Sequence, residues 1–315
     1  MKLEPGFIEQ VDGSKFTLYS DTDSSYSLVP LPFDKFEDQH KTVDYAQEIA
    51  RELNSAYMDI FNETVVKHGN VNPDYNFMDF KSEVVAYRGF FNAKKYYGLT
   101  KLWDEGTFYD PPEVKKTGGQ IVKADSTPIV LDLLNEVYNV LLLDFSITSE
   151  VELYQKIFFD IRKKYIKRVE DAVDIFDVHQ FGIPKKWSLK VLKKIPKQVE
   201  GAMLYNYLFR DIFRPGESIL QTQVIINPGK LLQEMDKHKS STEYQIPKEM
   251  ISNKINALSF PTDFGNFKED IDEARRILQE NNIQFDLRSI LEFNVDKKLD
   301  QFKKLFSEET IRLAI

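Results

Sequence analysis

Residues 15–29, KFTLYSDTDSSYSLV, combine two short β-rich runs with an acidic segment between them. The run from Lys15 to Ser20 alternates between apolar and polar residues, and a second apolar run extends from Tyr26 to Val29. The intervening Asp21-Thr-Asp-Ser24 consists of short polar residues, which favour turns because their side chains bond to the local backbone. The pattern therefore predicts a β-hairpin whose tip carries two carboxylates, those of Asp21 and Asp23.

The residues after the hairpin predict an α+β fold. Apolar residues recur with a helical period from Thr42 to Val66, which predicts an amphipathic helix that covers one face of a sheet. Strands are expected over Tyr75–Tyr87, over Phe90–Leu99 and near 107–109, as parts of a half-buried antiparallel sheet. The residues expected on the buried face of the first strand are Met78, Phe80, Val84 and Ala86.

After Gly118-Gly119 the strand-like patterns of the sequence give way to helical periodicity, and we place a domain boundary there. Residues 127–147 and 150–175 have helical periodicity, and from Leu204 onward short strands, turns and helices alternate. The expected organisation is therefore an antiparallel sheet with a helix in residues 1–118, followed by a mostly helical domain in residues 119–315.

The composition excludes several classes of protein. The chain has no cysteine, which removes disulfides, thiolate nucleophiles and zinc–cysteine sites, and its 4 histidines have no partner at metal-ligand spacing. No apolar run approaches the length of a transmembrane helix, and the first residues lack the apolar stretch of a signal peptide. No membrane partner is expected.

The charge is unevenly distributed. A net charge of −8 argues against a protein that coats nucleic acid indiscriminately, but it leaves room for a local basic groove. Basic residues concentrate in two strips, 162–168 and 185–197. Either strip could be a solvated helix face or a surface that contacts nucleic acid.

Asp21 and Asp23 suit the chemistry of phosphoryl transfer, in which divalent cations activate a hydroxyl and neutralise charge on phosphate. Magnesium prefers carboxylate oxygen and keeps several waters, so one or two protein carboxylates per ion suffice. The same spacing also fits a plain acidic turn. A calcium-binding EF-hand loop is excluded, because Tyr26 stands where its glycine is required and Pro32 where its closing glutamate is required.

Several short motifs in the right order resemble the family B DNA polymerases, above all those of T4-like phages. Residues 19–26, YSDTDSSY, resemble the third palm motif Tyr-Gly-Asp-Thr-Asp-Ser, with Ser20 in place of the glycine. Residues 90–98, FFNAKKYYG, resemble the Lys-Lys-Arg-Tyr segment that grips the primer, with Tyr96 in place of the arginine. Residues 103–106, WDEG, and 123–128, KADSTP, follow where the family has its next motifs.

The resemblance implies that residues 1–118 are the C-terminal part of a polymerase palm and residues 119–315 a thumb. Asp23 would bind both of two Mg²⁺ ions, and Asp21 would be a weaker ligand. Glu83 and Asp79 would add carboxylates on a neighbouring strand. The residues that would contact primer DNA are Lys94, Lys95, Tyr96 and Lys123, joined by the two basic strips of the thumb.

The family's earlier palm and fingers motifs, Ser-Leu-Tyr-Pro-Ser and Lys-x-x-x-Asn-Ser-x-Tyr-Gly, do not occur in the 315 residues, and no exonuclease domain is recognisable. We therefore expect the C-terminal subunit of a split DNA-directed DNA polymerase, inactive alone, with both Mg²⁺ ions shared with an N-terminal polymerase fragment. Primer-template DNA is the expected substrate, and the cytoplasm of an infected host cell the expected location if the chain is viral.

Three alternatives remain open from the sequence. The chain could be a non-catalytic DNA-binding or processivity module derived from a polymerase thumb, or a piece cut from a longer polymerase. Residues 297–306 faintly resemble a tail that tethers polymerases to a sliding clamp, but they also fit an amphipathic helix packed on the thumb.

Overall fold

The computed structural model describes most of the chain as two compact units, Met1–Thr117 and Gly118–Ile315. Helices and antiparallel sheets are both present, and helices dominate toward the C-terminus, as the predicted α+β class requires. The assignment of these units to a palm and a thumb stays a prediction. The described residues are 17–21, 24–29, 38–69, 72, 81–118, 126–174, 176–187, 196–209, 213, 216–227, 229, 231, 255–265 and 268–315.

The first unit contains a hairpin, one long helix and a three-stranded antiparallel sheet in the order β3-β4-β5. The predicted hairpin is present, since β1 and β2 pair antiparallel. The predicted helix is also present and is 31 residues long, or about 46 Å at 1.5 Å per residue. The elements are β1 (Thr17–Asp21), β2 (Ser24–Ser27), α1 (Gln39–Gly69), β3 (Val84–Ala93), β4 (Tyr96–Asp104) and β5 (Thr107–Thr117).

The N-terminal part of α1 covers one end of the sheet, as predicted. Val43 on α1 packs with Val85 on β3 and with Leu102 on β4, which is fully buried. His40, in the first turn of α1, stacks on the ring of Phe108 with their centroids 3.9 Å apart. These contacts fix the start of α1 at the end of the sheet where β4 turns into β5.

Two of the predicted strands were misplaced. The described part of the first strand begins at Val84, and its most buried apolar residue is Val85 rather than Val84 or Ala86. The pairing of β3 with β4 shifts register between Val85 and Ala86, so the simple alternation assumed for this strand is broken. Met78 and Phe80 lie outside the described residues. The predicted strand Phe90–Leu99 is in fact the end of β3, a turn and the start of β4.

The second unit is mostly helical and also contains a small antiparallel sheet in which β6, β8 and β9 all pair with β7. Both helices predicted between 127 and 175 are present, and the second contains a π-helical segment, Lys156–Ile161. The elements are α2 (Pro128–Leu142), α3 (Glu150–Gln155), α4 (Arg162–Asp174), α5 (Val178–Phe181), β6 (Ile183–Lys186), α6 (Lys197–Phe209), β7 (Ser218–Ile226), β8 (Ala257–Pro261), α7 (Lys268–Glu280), β9 (Ile283–Phe285), α8 (Leu287–Leu291), a π-helical segment (Glu292–Asp296), α9 (Lys297–Asp300), a 3₁₀ turn (Lys303–Leu305) and α10 (Glu308–Ala314).

The start of α2 is held by a buried polar network. The Thr127 hydroxyl accepts a hydrogen bond from the Val130 amide at 3.2 Å and donates to Asn294 Oδ1 at 2.7 Å. Asn294, which is only 1% exposed, donates through Nδ2 to the carbonyls of Phe181 and Ile290. Because buried polar groups are costly unless they are paired, this network specifies how α2, α5 and α8 meet.

Within the described residues, no helix is both long and apolar enough to cross a membrane.

Candidate active site

The β1–β2 hairpin carries Asp21, one of the two predicted acidic residues, at the end of β1. Asp21 is the last residue of β1 and pairs with Ser24, the first residue of β2. Thr22 and Asp23, the two residues between them in sequence, are outside the described part of the chain, and Asp21 is described only by its backbone. The roles of Asp21 and Asp23 as catalytic and metal-binding residues stay predictions.

Tyr26 joins the hairpin to the three-stranded sheet. Its hydroxyl oxygen lies 3.2 Å from that of Tyr97 on β4, within hydrogen-bond distance. Its ring centroid is 5.3 Å from that of Tyr97 and 5.5 Å from that of Phe91 on β3. Phe91 and Tyr97 are paired residues of adjacent strands, so the hairpin rests on the row of the sheet next to the β3–β4 turn.

The environment of Tyr26 is apolar and negatively charged. Burial raises the pKa of the Tyr26 hydroxyl, and the hydrogen bond to Tyr97 and the negative charges of Glu83 and Asp104 raise it further. The phenol therefore stays protonated and can remain a hydrogen-bond donor. Glu83, one of the predicted metal ligands, is exposed and lies close enough to act electrostatically on a residue of the hairpin.

Lys94 and Lys95 occupy the turn between β3 and β4 rather than a strand. The expectation that their side chains alternate across the sheet is therefore wrong. Ala93 pairs with Tyr96 across this two-residue turn, and Lys95 adopts a left-handed conformation with a φ of 57°. Both lysine side chains are exposed at the end of the sheet, one row beyond the Phe91–Tyr97 pair on which Tyr26 rests.

Charge is segregated along this sheet. The carboxylates of β4 and β5 lie at the row of Lys101 or beyond it, toward the β4–β5 turn; they are Asp104, Asp110 and Glu113. Lys101 Nζ lies 2.7 Å from carboxylate oxygens of both Asp104 and Glu113. The opposite end of the sheet carries Lys94 and Lys95 in the turn and Lys115 and Lys116 on β5.

Of the remaining predicted site residues, the structure describes Tyr96 but not Asp79 or Lys123. Tyr96 is the first residue of β4, directly after the lysine turn, and is half-buried. Asp79 and Lys123 lie outside the described residues, so their predicted roles are not tested. Among the described residues, which do not include Asp23 or Asp79, no group of three or more His, Asp or Glu side chains could hold a metal ion.

The basic strip 162–168 is largely neutralised by carboxylates of the second unit. Arg162 lies 2.8 Å from Asp296, Lys164 lies 2.6 Å from Glu136, and Arg168 lies 2.7 Å from Asp132. Two of these acids are on α2, so the strip joins helices to each other. The expectation that the strip contacts DNA stays a prediction. Most of the second strip, residues 188–195, is outside the described part.

Residues 297–306 form packed structure rather than a tail. Phe302 is fully buried and meets Tyr138 edge to face, with ring centroids 6.0 Å apart. Phe306 packs in the same manner on Tyr154 and Phe158. The amphipathic alternative is therefore the correct one for this segment, because the apolar side chains that a clamp would need are in the core of the second unit.

Sequence reasoning did not identify Tyr97 as a partner of the hairpin, nor Lys115 and Lys116 as neighbours of the lysine turn. Tyr97 stands two residues after Lys95, yet only the pairing of β3 with β4 reveals that it faces Phe91. The Lys115-Lys116 pair was visible in the sequence, but its place beside the turn depends on the register of β5 against β4.

Comparison with known proteins supports a relationship to DNA polymerases. Over 139 residues the chain is 32% identical to a DNA-directed DNA polymerase of Escherichia phage RB69. The alignment covers 40% of this chain and 15% of that polymerase, so the chain spans only a small part of its relative's length. No protein-family model matches the chain. The similarity supports a relationship to a phage DNA polymerase, whereas the family B assignment and the split enzyme remain predictions.

Proposed function

We propose that this chain is the C-terminal subunit of a split DNA-directed DNA polymerase of family B. In this proposal Asp21 and Asp23 bind Mg²⁺ at the acidic turn, Glu83 supports them, and Lys94 and Lys95 hold the primer strand. The palm would be completed by an N-terminal fragment that brings the exonuclease, the earlier palm aspartate and the fingers. The 32% identity to a phage polymerase supports the polymerase relationship on which the proposal rests.

One contact carries the proposal: Tyr26 rests on Phe91 and Tyr97. Tyr26 is two positions after Ser24, the first residue of β2, and Tyr97 is two positions after Lys95. The contact therefore brings the hairpin that carries Asp21 and the turn that carries Lys94 and Lys95 into one region of the first unit. Nucleotidyl transfer needs this combination, because metal ligands must lie near the surface that holds the phosphate backbone.

The donor set of the acidic turn fits magnesium. Carboxylate oxygens are the ligands that Mg²⁺ prefers, and one or two of them per ion suffice. When bound, the two ions would activate the primer 3′ hydroxyl and neutralise charge on the incoming phosphates. The hairpin would contribute rigidity, because a neutral, hydrogen-bonded Tyr26 fixes β2 against the sheet whether or not the ions are present.

The proposed partner follows from what two-metal catalysis requires. Both ions must be held before the phosphate arrives, since preorganised charge is what stabilises the transition state. The family supplies further ligands from a strand in the Ser-Leu-Tyr-Pro-Ser segment, and selects the nucleotide with its fingers helix. Neither segment occurs within these 315 residues, so the proposal assigns them to a second polypeptide.

Primer extension by the reconstituted pair tests the proposal. The chain would be mixed with an N-terminal polymerase fragment that carries the earlier palm aspartate and the fingers, and extension of a labelled primer would be followed with and without Mg²⁺. We expect extension only by the mixture, and its loss with Asp23→Asn. The matched control is Asp59→Asn, because Asp59 is an exposed carboxylate on α1. Extension by this chain alone would refute the split enzyme, and full activity of Asp23→Asn would refute the metal site.

A further inference from the structure

The position of Lys115 in the three-stranded sheet indicates which face its side chain occupies. It is on β5 and pairs with Leu99 on β4, two residues from the pair of Thr117 with Tyr97. The register is regular over these rows, and side chains alternate across a strand. Lys115 therefore shares a face with Tyr97, the face on which Tyr26 and the acidic hairpin rest.

The charge of Lys115 is not cancelled by the sheet. The carboxylate nearest to it along β5 on the same face is Glu113, two residues away, and Glu113 is ion-paired with Lys101 at 2.7 Å. Lys101 is almost fully buried and also holds Asp104. Within the part of the chain that the structure describes, Lys115 itself has no carboxylate partner. The Lys101 network thus engages Glu113, the nearest acid of β5 on this face, and Lys115 keeps its charge without a carboxylate partner among the described residues.

Lys115 and the lysine turn are spaced to meet one nucleic-acid strand. Lys95 precedes Tyr96, and Lys115 lies opposite Leu99, so four residue rises of about 3.3 Å, or roughly 13 Å, separate them along the sheet. One strand of duplex DNA advances about 3.4 Å along the helix axis per phosphate, so this span corresponds to about four phosphates measured along that axis. Lysine supplies a point charge, which suits contact with the backbone of any sequence.

Lys116 provides a contrast on the same strand. It pairs with Gly98, so its side chain leaves the opposite face of the sheet. Burial lowers the pKa of Lys116, which marks its amine as partly withdrawn from water. The two neighbouring lysines therefore have the same length and charge but lie on opposite faces of β5.

We infer that Lys115 binds a backbone phosphate of primer-template DNA, as an extension of the surface formed by Lys94 and Lys95. The inference rests on the proposed function for the nature of the ligand. It adds a DNA-binding residue on β5 that lies on the hairpin side of the sheet, so the bound strand would run past the acidic turn. Lys116 binds no phosphate of that strand.

The test is the salt dependence of binding of the 315-residue chain to a fluorescent primer-template, measured by anisotropy. Between about 50 and 200 mM salt, log K falls as log salt rises, and the magnitude of this slope is about 0.9 for each phosphate that the protein neutralises. We expect Lys115→Ala to reduce the slope by about that amount and to weaken binding several-fold. Lys115→Arg should keep the wild-type slope, and Lys116→Ala should leave both quantities unchanged.

The outcomes separate this inference from the proposed function. A normal slope for Lys115→Ala, in an experiment where Lys94→Ala lowers the slope, would overturn the inference alone. Equal reductions of the slope by Lys115→Ala and Lys116→Ala would also overturn it, because the face of the sheet would then not matter. If Lys115→Ala behaves as expected but the reconstituted pair does not extend a primer, the inference stands and the proposed polymerase fails. A wild-type chain that shows no salt-dependent binding would overturn the inference, whereas primer extension by the reconstituted pair decides the proposed function.

Discussion

The hydroxyl oxygens of Tyr26 and Tyr97 lie 3.2 Å apart, and this pair connects the hairpin to the sheet. Tyr26 follows the acidic turn and Tyr97 follows the lysine turn, so the two chemically distinctive turns of the first unit are linked by one contact. The packing of Tyr26 on Phe91 extends the contact to the neighbouring strand. The placement of the acidic turn therefore depends on an aromatic anchor, not only on the hairpin itself.

Truncation of Tyr26 should loosen the hairpin in two steps. Tyr26→Phe removes the hydroxyl and should cost about 1 kcal/mol, the usual net value of a hydrogen bond. Tyr26→Ala also removes the ring contacts and should cost about 2–3 kcal/mol, less than a fully buried aromatic residue because Tyr26 is half-buried. Hydrogen exchange of the β2 amides measures both effects, and Tyr57→Phe on exposed α1 is the control. Unchanged protection in Tyr26→Ala would mean that the hairpin is held by something else.

Lys101 should be important for the stability of the first unit. Lys101→Met leaves the carboxylates of Asp104 and Glu113 without their shared cation and should lower the free energy of unfolding by about 1–3 kcal/mol. This is less than the cost of breaking a fully buried ion pair, because Glu113 is half exposed. Urea unfolding followed by Trp103 fluorescence, in a Trp187→Phe background, reports on this unit. Lys41→Met on α1 should have little effect. An equal midpoint for Lys101→Met and the wild type would contradict the role of the network.

Tyr165 should make the second unit sensitive to alkaline pH. Burial raises the pKa of its hydroxyl above the ordinary value of 10.0, and Glu136 raises it further through its charge and as a hydrogen-bond acceptor. Above pH 10 the unfolded chain releases a proton that the folded chain keeps, so this part of the stability is present below pH 10 and is lost as pH rises.

We therefore expect the free energy of unfolding of the wild type to fall more steeply above pH 10 than that of Tyr165→Phe, by up to about 1.4 kcal/mol per pH unit. Urea unfolding at a series of pH values measures the two slopes. Tyr57→Phe, at an exposed position, should keep the wild-type slope. Parallel curves for Tyr165→Phe and the wild type would show that the buried phenol does not titrate on unfolding.

The basic strip of α4 should contribute little to DNA binding. Its cations Arg162, Lys164 and Arg168 are already paired with acids, so phosphate would have to displace a carboxylate at each position. The triple change of these three residues to alanine should alter the salt slope of DNA binding by less than the value of one neutralised phosphate, about 0.9. A slope reduced by about three times that value would show instead that the strip is a DNA surface.

Local patterns predicted the elements whose determinants are close in sequence. The acidic hairpin and α1 followed from turn chemistry and helical periodicity, and both are present. The β3–β4 turn was missed because Asn-Ala-Lys-Lys contains no glycine or proline, so an apolar run on each side was taken as one strand. Lys95 nevertheless adopts a left-handed conformation there, held by the pairing of Ala93 with Tyr96.

The pairing of charges could not be predicted, because the partners are distant in sequence. Lys164 lies 28 residues from Glu136, and Arg162 lies 134 residues from Asp296, so only the packing of the second unit brings these charges together. The contact at the candidate site also joins residues that are distant in sequence. The sequence indicated Asp21, Asp23, Lys94 and Lys95, but the contact that joins their two turns depends on Tyr26 and Tyr97, 71 residues apart.

The most direct measurement of the central claim is a metal-specificity exchange at Asp23. The chain has no cysteine, so Asp23→Cys introduces a single thiol, and a soft thiolate disfavours Mg²⁺ while it accepts a thiophilic ion such as Cd²⁺. With the N-terminal fragment present, we predict that Asp23→Cys loses primer extension in Mg²⁺ and regains part of it when Cd²⁺ is added, whereas Asp59→Cys responds like the wild type. Full extension by Asp23→Cys in Mg²⁺ alone, or a loss that Cd²⁺ does not relieve, would contradict the account.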